Sequence, residues 1–341
     1  MGSLSCAADA VQVVKRITGC PSATWQEVVA GAVHRSGPVT YINVGANKGY
    51  SLVEFLNLWT DQQIQGRVWR RSIFRQVQQM TRKKNHYLPF ACGNCDDCKR
   101  PVPPAHNRRG GFVHAIEMAA ANHALLSAVV ASQGLSNIVR VHHLAASNAS
   151  KRVLTARAKV GDERTGLHDA SDKYCKHHTC DQKLRAVSLD DFFSEQRLVA
   201  AYQVSIDTEG HDALVLEGMR GILAARRVAI VEFEVSDKGY WTPYRRMPLY
   251  AERRWVNGTV GWLADAGYSC FWQTAEGLIP ASGGCWRRQF ELRKWSNMVC
   301  AHEAAVVRAL SLLASREYAC RQRSGRARVE VCAAQGEPRA V

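Results

Sequence analysis

The stretch Val39-Thr40-Tyr41-Ile42-Asn43-Val44-Gly45-Ala46-Asn47-Lys48-Gly49 decides the fold. Val39 to Val44 is a short, mostly apolar run, as in a strand buried on both faces of a parallel sheet. Glycines follow at positions 45 and 49, where a chain can turn tightly and approach a neighbour closely. From Ser51 to Trp59 the apolar spacing becomes helical. A strand, a glycine loop and a helix start together offer unpaired backbone N–H groups and a positive dipole end. That arrangement cradles a ligand at the carboxyl end of a strand. The Gly-x-x-x-Gly spacing is not the Gly-x-Gly-x-x-Gly dinucleotide fingerprint. By itself it also fits an ordinary strand-to-helix turn.

Outward from this unit, strands and helices alternate. Phe112 to Ile116 reads as a second strand ending at Glu117, with a helix from Ala119 to Ser132. Ile138 to His142 is a third strand and Gln203 to Ile206 a fourth, ending at Asp207. A helix follows from Asp212 to Met219. Val228 to Val235 is a fifth strand, and Gly267 to Trp272 a sixth. This rhythm predicts an α/β fold, a mostly parallel sheet with helices on both faces. Residues 60–111 and the polar residues 150–186 interrupt it as long insertions.

Two further sites carry chemistry. Glu117, directly after the second strand, suits the ribose hydroxyls of an adenosine-type cofactor; as a helix-start acid it would also favour the dipole. Asp207, Glu209, His211 and Asp212 follow the fourth strand, and the neighbouring strand carries Glu232 and Glu234. His211 suits a general base, and Asp207 suits orienting it or a substrate hydroxyl. The plainer alternative is a helix cap at Asp207 or Thr208.

Taken in order, these elements resemble the FkbM-type family of S-adenosylmethionine-dependent methyltransferases. The resemblance rests on Tyr41 to Gly49, Ile116-Glu117, Val187-Ser188-Leu189-Asp190-Asp191-Phe192 and Ser205 to Asp212. Ala266-Gly267-Tyr268 and Gly283-Gly284-Cys285-Trp286 are later echoes. It implies a class I methyltransferase (Rossmann-like) fold with a seven-stranded sheet. It implies S-adenosylmethionine as cofactor, held by Asn43, Gly45, Ala46, Asn47, Gly49 and Glu117. It further implies O-methylation of a glycan or small-molecule hydroxyl, with Asp207, Glu209 and His211 as the catalytic candidates. Asn43 stands where many class I methyltransferases carry an acid, which weakens a charge contact to the cofactor's amino group. The chain then divides into a helical lead-in (1–37), the methyltransferase-like domain (38–300, insertion 60–111), a C-terminal helix (301–320) and a flexible basic tail (321–341).

Composition narrows the rest. With 46% hydrophobic and 22% charged residues, the chain is neither disordered nor fibrous. It has no run of about 18 apolar residues and no secretory-type leader, so the default expectation is cytoplasmic. A net charge of +15 attracts polyanions. An anionic acceptor fits that field, and nucleic acid is the second reading. The latter lacks an Asn-Pro-Pro-Tyr-like motif or a recognised RNA-binding module. A non-catalytic cofactor-binding protein is the third, and a nucleotide-dependent oxidoreductase fits worst.

The insertion holds Cys92-x₂-Cys95-x₂-Cys98, spaced for zinc. A fourth ligand would come from His86, His106, Cys175 or His177, and Cys175 and Cys180 flank His177 and His178. Zinc, disulfides and free thiols all remain open, and no metal ligand is assigned. The sequons at Asn148 and Asn257 would matter only in a secretory compartment. Arg67 to Lys84 is strongly basic, with Trp69, Ile73, Val77 and Met80 at helical spacing. An ordinary packed helix with a solvated basic face is the favoured reading over an anion-binding one. Among the many aromatics from Gly239 to Trp295, Tyr240, Trp241 and Tyr244 are the candidates for a substrate mouth.

Overall fold

A computed structural model of the chain describes residues 6, 14–20, 24–82, 88, 91–103, 110–155, 159–162, 167–168, 182–237, 239–241, 255–275, 277–292 and 294–323. The strands are β1 (Val39–Val44), β2 (Gly111–Glu117), β3 (Val139–His143), β4 (Ala145–Ala146), β5 (Lys151–Thr155), β6 (Leu167–His168), β7 (Gln182–Val187), β8 (Ala201–Ile206), β9 (Val228–Val235), β10 (Ser269–Gln273), β11 (Leu278–Pro280) and β12 (Ser296–Ala301). The helices are α1 (Thr24–Ala32), α2 (Tyr50–Trp59), α3 (Gly66–Thr81), α4 (Ala120–Ser132), α5 (Leu189–Glu195), α6 (Asp212–Glu217), α7 (Arg220–Ala224), α8 (Val256–Asp265) and α9 (Ala304–Arg323).

Among the described residues, an eight-stranded sheet runs in the order β11-β10-β12-β9-β8-β1-β2-β3. From β3 to β9 neighbouring strands are parallel, whereas β12 is antiparallel to both β9 and β10. Parallel strands with one antiparallel strand inserted before the last are the class I methyltransferase arrangement. The count is eight rather than seven, because the short β11 adds a hairpin edge to β10. The sequence reading also missed β12. Its Ser296-Asn297 start dilutes the apolar signal, and its partners lie far away in the chain.

Alternation within β1 divides the core. Tyr41 joins Leu52, Phe55 and Trp59 on one face, while Ile42 and Val44 join Phe192, Val204 and Leu216 on the other. In β8 every residue is buried, including Gln203 and Ser205; these are satisfied in part by a 3.0 Å bond from Gln203 Nε2 to Ser205 Oγ. From β1 the chain runs outward to β2 and β3, then returns to β8 on the other side of β1. The crevice at the carboxyl ends of β1 and β8 is therefore a topological switch point.

The insertion folds onto this sheet. Trp69, Ile73 and Val77 of α3 are fully buried, and Trp69 Nε1 donates to Lys48 O at 2.7 Å. Met80 is 39% exposed, so the apolar stripe ends one turn earlier than its spacing predicts. Residues 150–186 are not simply loop. Here β5 pairs antiparallel with β7 in a small second sheet that also includes β4 and β6. The final helix runs to Arg323, into the expected tail. His86, His106, Cys175, His177, His178, Cys180, Tyr244 and residues 324–341 lie outside the described residues.

Four disulfides cross-link the described residues: Cys6–Cys285, Cys20–Cys95, Cys92–Cys98 and Cys270–Cys300. All three cysteines with zinc-like spacing are thus oxidised, and the choice left open for them resolves to disulfides. Among the described residues no cluster of His, Cys, Asp and Glu is arranged for a metal ion.

Cys270 and Cys300 are directly paired residues of β10 and β12, separated by 30 positions in the chain. Cross-links closing loops of this size stabilise by roughly 3 kcal/mol, mainly by restricting the unfolded chain. The double substitution Cys270→Ala, Cys300→Ala should lose about that much stability in urea unfolding. An unchanged midpoint would mean that this bond does not hold the sheet together.

Candidate functional site

The glycine loop after β1 is fastened at both ends. Gly45 N and Ala46 N both donate to Ile116 O at 3.0 Å, and Asp207 N donates to Val44 O at 2.9 Å. Gly45 has φ +80°, and a Cβ there would stand 1.8 Å from Asp207 O. No side chain fits between these two backbones, so only glycine permits the approach. Asn47, at φ 44°, turns the loop into Gly49 and the start of α2. The carboxylate of Glu117 braces this turn: Oε2 accepts from Asn47 N and Oε1 from Ala119 N, both at 2.8 Å. Burial raises its pKa, and those two hydrogen bonds oppose the rise.

A second segment straps the loop from outside. Asn122 Oδ1 accepts from Gly161 N, and Asp162 O accepts from Asn122 Nδ2, both at 2.7 Å. The buried Lys48 donates through Nζ to Gly161 O at 3.2 Å. Neither Lys48 nor this strap stood out in the sequence, because only the folded chain brings position 161 to position 48.

Between these elements lies a cavity of about 520 Å³. One end is formed by the glycine loop, Glu117, Met118, Leu144 and Asp162. Here Asn43, only 4% exposed, points a carboxamide oxygen that has no hydrogen-bond partner among the described residues. A buried acceptor left open in a cavity is suited to a donor on a ligand.

The other end is acidic. It gathers Glu54, Asp97, Asp207, Glu209, Glu232 and Glu234, with Arg100 and Trp295. Glu232 accepts from Ser205 Oγ at 2.9 Å and Gln273 Nε2 at 2.7 Å. Glu234 accepts from Trp295 Nε1 at 2.7 Å. Burial first, then the charges of Asp207, Asp212 and Glu209, holds Glu234 well above the usual carboxylate range. Glu54 is pushed up to about 7 by burial, against the pull of Arg100 at 3.2 Å. A buried carboxyl poised near neutrality can accept a proton from a hydroxyl under ordinary conditions. The loop closed by Cys92–Cys98, tied to Cys20 through Cys95, contributes Gly93, Asn94, Cys95 and Asp97 to this end.

The cavity thus gathers Asn43, Gly45, Ala46, Asn47, Gly49, Glu117, Asp207 and Glu209 from the sequence-predicted set. His211 does not line it; its ring lies edge-on to Tyr240, with centroids 5.0 Å apart. Trp241 is a core residue, 1% exposed, bonded through Nε1 to Glu234 O. Neither Trp241 nor Tyr240 lines the mouth. Trp295 does, together with Glu54 and Arg100. Spacing could not have found them, since they come from β12's approach, α2 and the insertion.

Asp212 sits behind the wall, fully buried. It accepts from Thr208 Oγ1 at 3.1 Å and from the backbone N of Gly210 and of Glu234, each at 3.3 Å. Burial, then the charge of Asp207, pushes it up to about 8. An acid raised by folding stays protonated in the native state while the unfolded chain has already ionised. Its contribution to stability is therefore greatest at low pH and is lost as pH rises from the ordinary carboxylate range, about 4, toward 8. Asp212→Asn should remove that loss, so its urea midpoint relative to the unsubstituted chain should improve between about pH 5 and about pH 8. A constant difference across that range would refute a raised native-state value.

The family model described as the methyltransferase FkbM domain matches residues 43–269. Among solved structures, an FkbM methyltransferase from Methylobacillus flagellatus aligns at 11% identity and TM-score 0.41, over 85% of this chain and 50% of that one. The METTL16 methyltransferase domain aligns at 9% and 0.35, over 82% and 66%. A human methyltransferase 10 domain containing protein aligns at 7% and 0.32, over 88% and 89%. The chain spans half the length of the Methylobacillus structure. No curated protein matches it.

Proposed function

The chain belongs to the FkbM methyltransferase family, and we propose that it moves a methyl group from S-adenosylmethionine to a hydroxyl oxygen of a glycan or small molecule. One observation carries the reading. The open acceptor on buried Asn43, the glycine loop and Glu117 line the same cavity as Asp207 and Glu209. Asn43 Oδ1 suits an ammonium donor, the loop between Gly45 and Gly49 admits a ligand close to the backbone, and Glu117 suits a pair of ribose hydroxyls. When bound, the cofactor supplies an electrophilic methyl group on a cationic sulfur.

The protein's share is then positioning and proton removal. Carboxylates at the acidic end accept hydrogen bonds from acceptor hydroxyls and hold one oxygen in line. The proton that the acceptor hydroxyl gives up on methylation would pass to a carboxylate of this chain. Asp207 and Glu209 are the candidates from the strand end. In this reading His211, outside the lining, orients the β8 loop. The acidic wall repels a phosphodiester, so nucleic acid is not the acceptor that we carry forward. We also infer that the chain matures in an oxidising compartment. Disulfides are rare in a reducing cytosol, and the four among the described residues support this reading over the cytoplasmic expectation. No helix among the described residues is long and apolar enough to cross a membrane.

Calorimetry with S-adenosylmethionine and S-adenosylhomocysteine, beside NAD, tests the cofactor. Glu117→Gln should weaken both by about 10- to 100-fold, the worth of one charge-assisted hydrogen bond. Its melting temperature should fall, because Gln keeps only one of the two acceptors that hold Asn47 N and Ala119 N, and circular dichroism checks that the variant still folds. Binding of NAD alone, or of neither ligand type, would overturn the reading. Once an acceptor is found, Asp207→Ala should lower kcat by at least about 100-fold with the fold intact. Undiminished turnover would remove Asp207 from the chemistry.

A further inference from the structure

A second hollow, of about 490 Å³, lies on the outer side of the insertion. Arg67, Arg70, Arg71 and Phe74 of α3 form one wall, and Cys98 and Lys99 of the disulfide loop form the other. The three arginines and the neighbouring Arg75 are exposed. Among the described residues none of these four has a carboxylate partner, whereas Lys99 pairs with Asp96 at 3.0 Å. Arg67, Arg71 and Arg75 follow one another at intervals of four, a single ridge along the helix. Arg70 flanks it, its guanidinium 5.2 Å from the Phe74 ring centre.

This ridge works against the helix that carries it. Like charges one turn apart repel. Arg67, Arg70 and Arg71 also stand in the first two turns, where the dipole disfavours cations. A positive face with no internal compensation is suited to charge outside the molecule.

We propose that the exposed face of α3, with Lys99, binds an acidic polysaccharide, a chain bearing repeated sulfate or carboxylate groups. Guanidinium forks match such groups bidentately, and a ridge with a flanking hollow suits a linear polymer lying along it. The alternatives fit less well. A bilayer would need an apolar face to insert, but Trp69, Ile73 and Val77 are committed to the core. Nucleic acid would need a compartment where it is met, and that choice rests on the oxidising-compartment reading drawn from the disulfides. The loop between the two sites shares its residues between them. Cys98 and Lys99 face the hollow, while Gly93, Asn94, Cys95, Asp97 and Arg100 line the main cavity. A polymer held on α3 therefore lies beside the cavity mouth, while the acidic lining keeps its charged groups out.

The test is calorimetric titration of the full chain with a size-defined heparin oligosaccharide across a salt series. The triple variant Arg67→Gln, Arg70→Gln, Arg71→Gln keeps good helix formers at each position. It should bind about tenfold or more weakly, with a shallower dependence on salt. A control removes equal charge elsewhere, from the exposed Lys151, Arg288 and Arg308 by substitution to Gln; its affinity should not change. Equal weakening in both variants would overturn the site, since net charge alone would then explain binding. Tighter binding of a DNA duplex or of phosphatidylserine vesicles at the same salt would overturn the class of partner. Melting temperatures confirm that both variants fold. The readout is binding without turnover, so it stands or falls apart from the methyl-transfer reading.

Discussion

The closest constraint in this molecule is the contact of two backbones. Asp207 O occupies the space a side chain at position 45 would need, and Asp207 N is bonded to Val44 O. This pins the loop after β8 to the loop after β1, across the point where strand order reverses. Everything at the cavity follows. The glycine loop faces one way, the carboxylates after β8 face the other, and both borrow the rigidity of buried parallel strands. A protein can place charged side chains accurately only on elements that do not move. Here the most buried strands of the sheet supply the floor, and the polar groups at their ends are held by backbone donors.

Much of this could be read in the chain before folding. A short apolar run followed by glycines and a helical pattern made β1 and the turn after it legible, whether or not the turn holds a ligand. Glu117 was identifiable from its position at the end of β2, and Asp207 and Glu209 from theirs after β8. What could not be read depends on distant partners. Trp295 reaches Glu234 across 61 positions, and Lys48 reaches Gly161 across 113. No local periodicity encodes either. The cysteines make the same point. Cys92, Cys95 and Cys98 have zinc spacing, and what decides their fate is Cys20, which lies 75 residues before Cys95. His211, singled out by residue type, is not among the residues that line the cavity.

Charge also separates into two layers. Exposed basic residues sit outside, on faces such as that of α3, while the charged residues that line the cavity are mainly acids. The +15 balance therefore describes how the molecule meets its surroundings rather than what enters its crevice.

The Cys6–Cys285 bond, spanning 279 positions, has a consequence for how the chain is made. A ribosome delivers Cys6 long before Cys285. Until Cys285 emerges, Cys6 is a thiol waiting among Cys20, Cys92, Cys95 and Cys98, any of which it can meet earlier. The correct pairing then relies on exchange, with early wrong bonds undone by thiolate attack after the sheet closes. Production of this protein should accordingly depend on a disulfide-shuffling partner more than its ordinary α/β core would suggest.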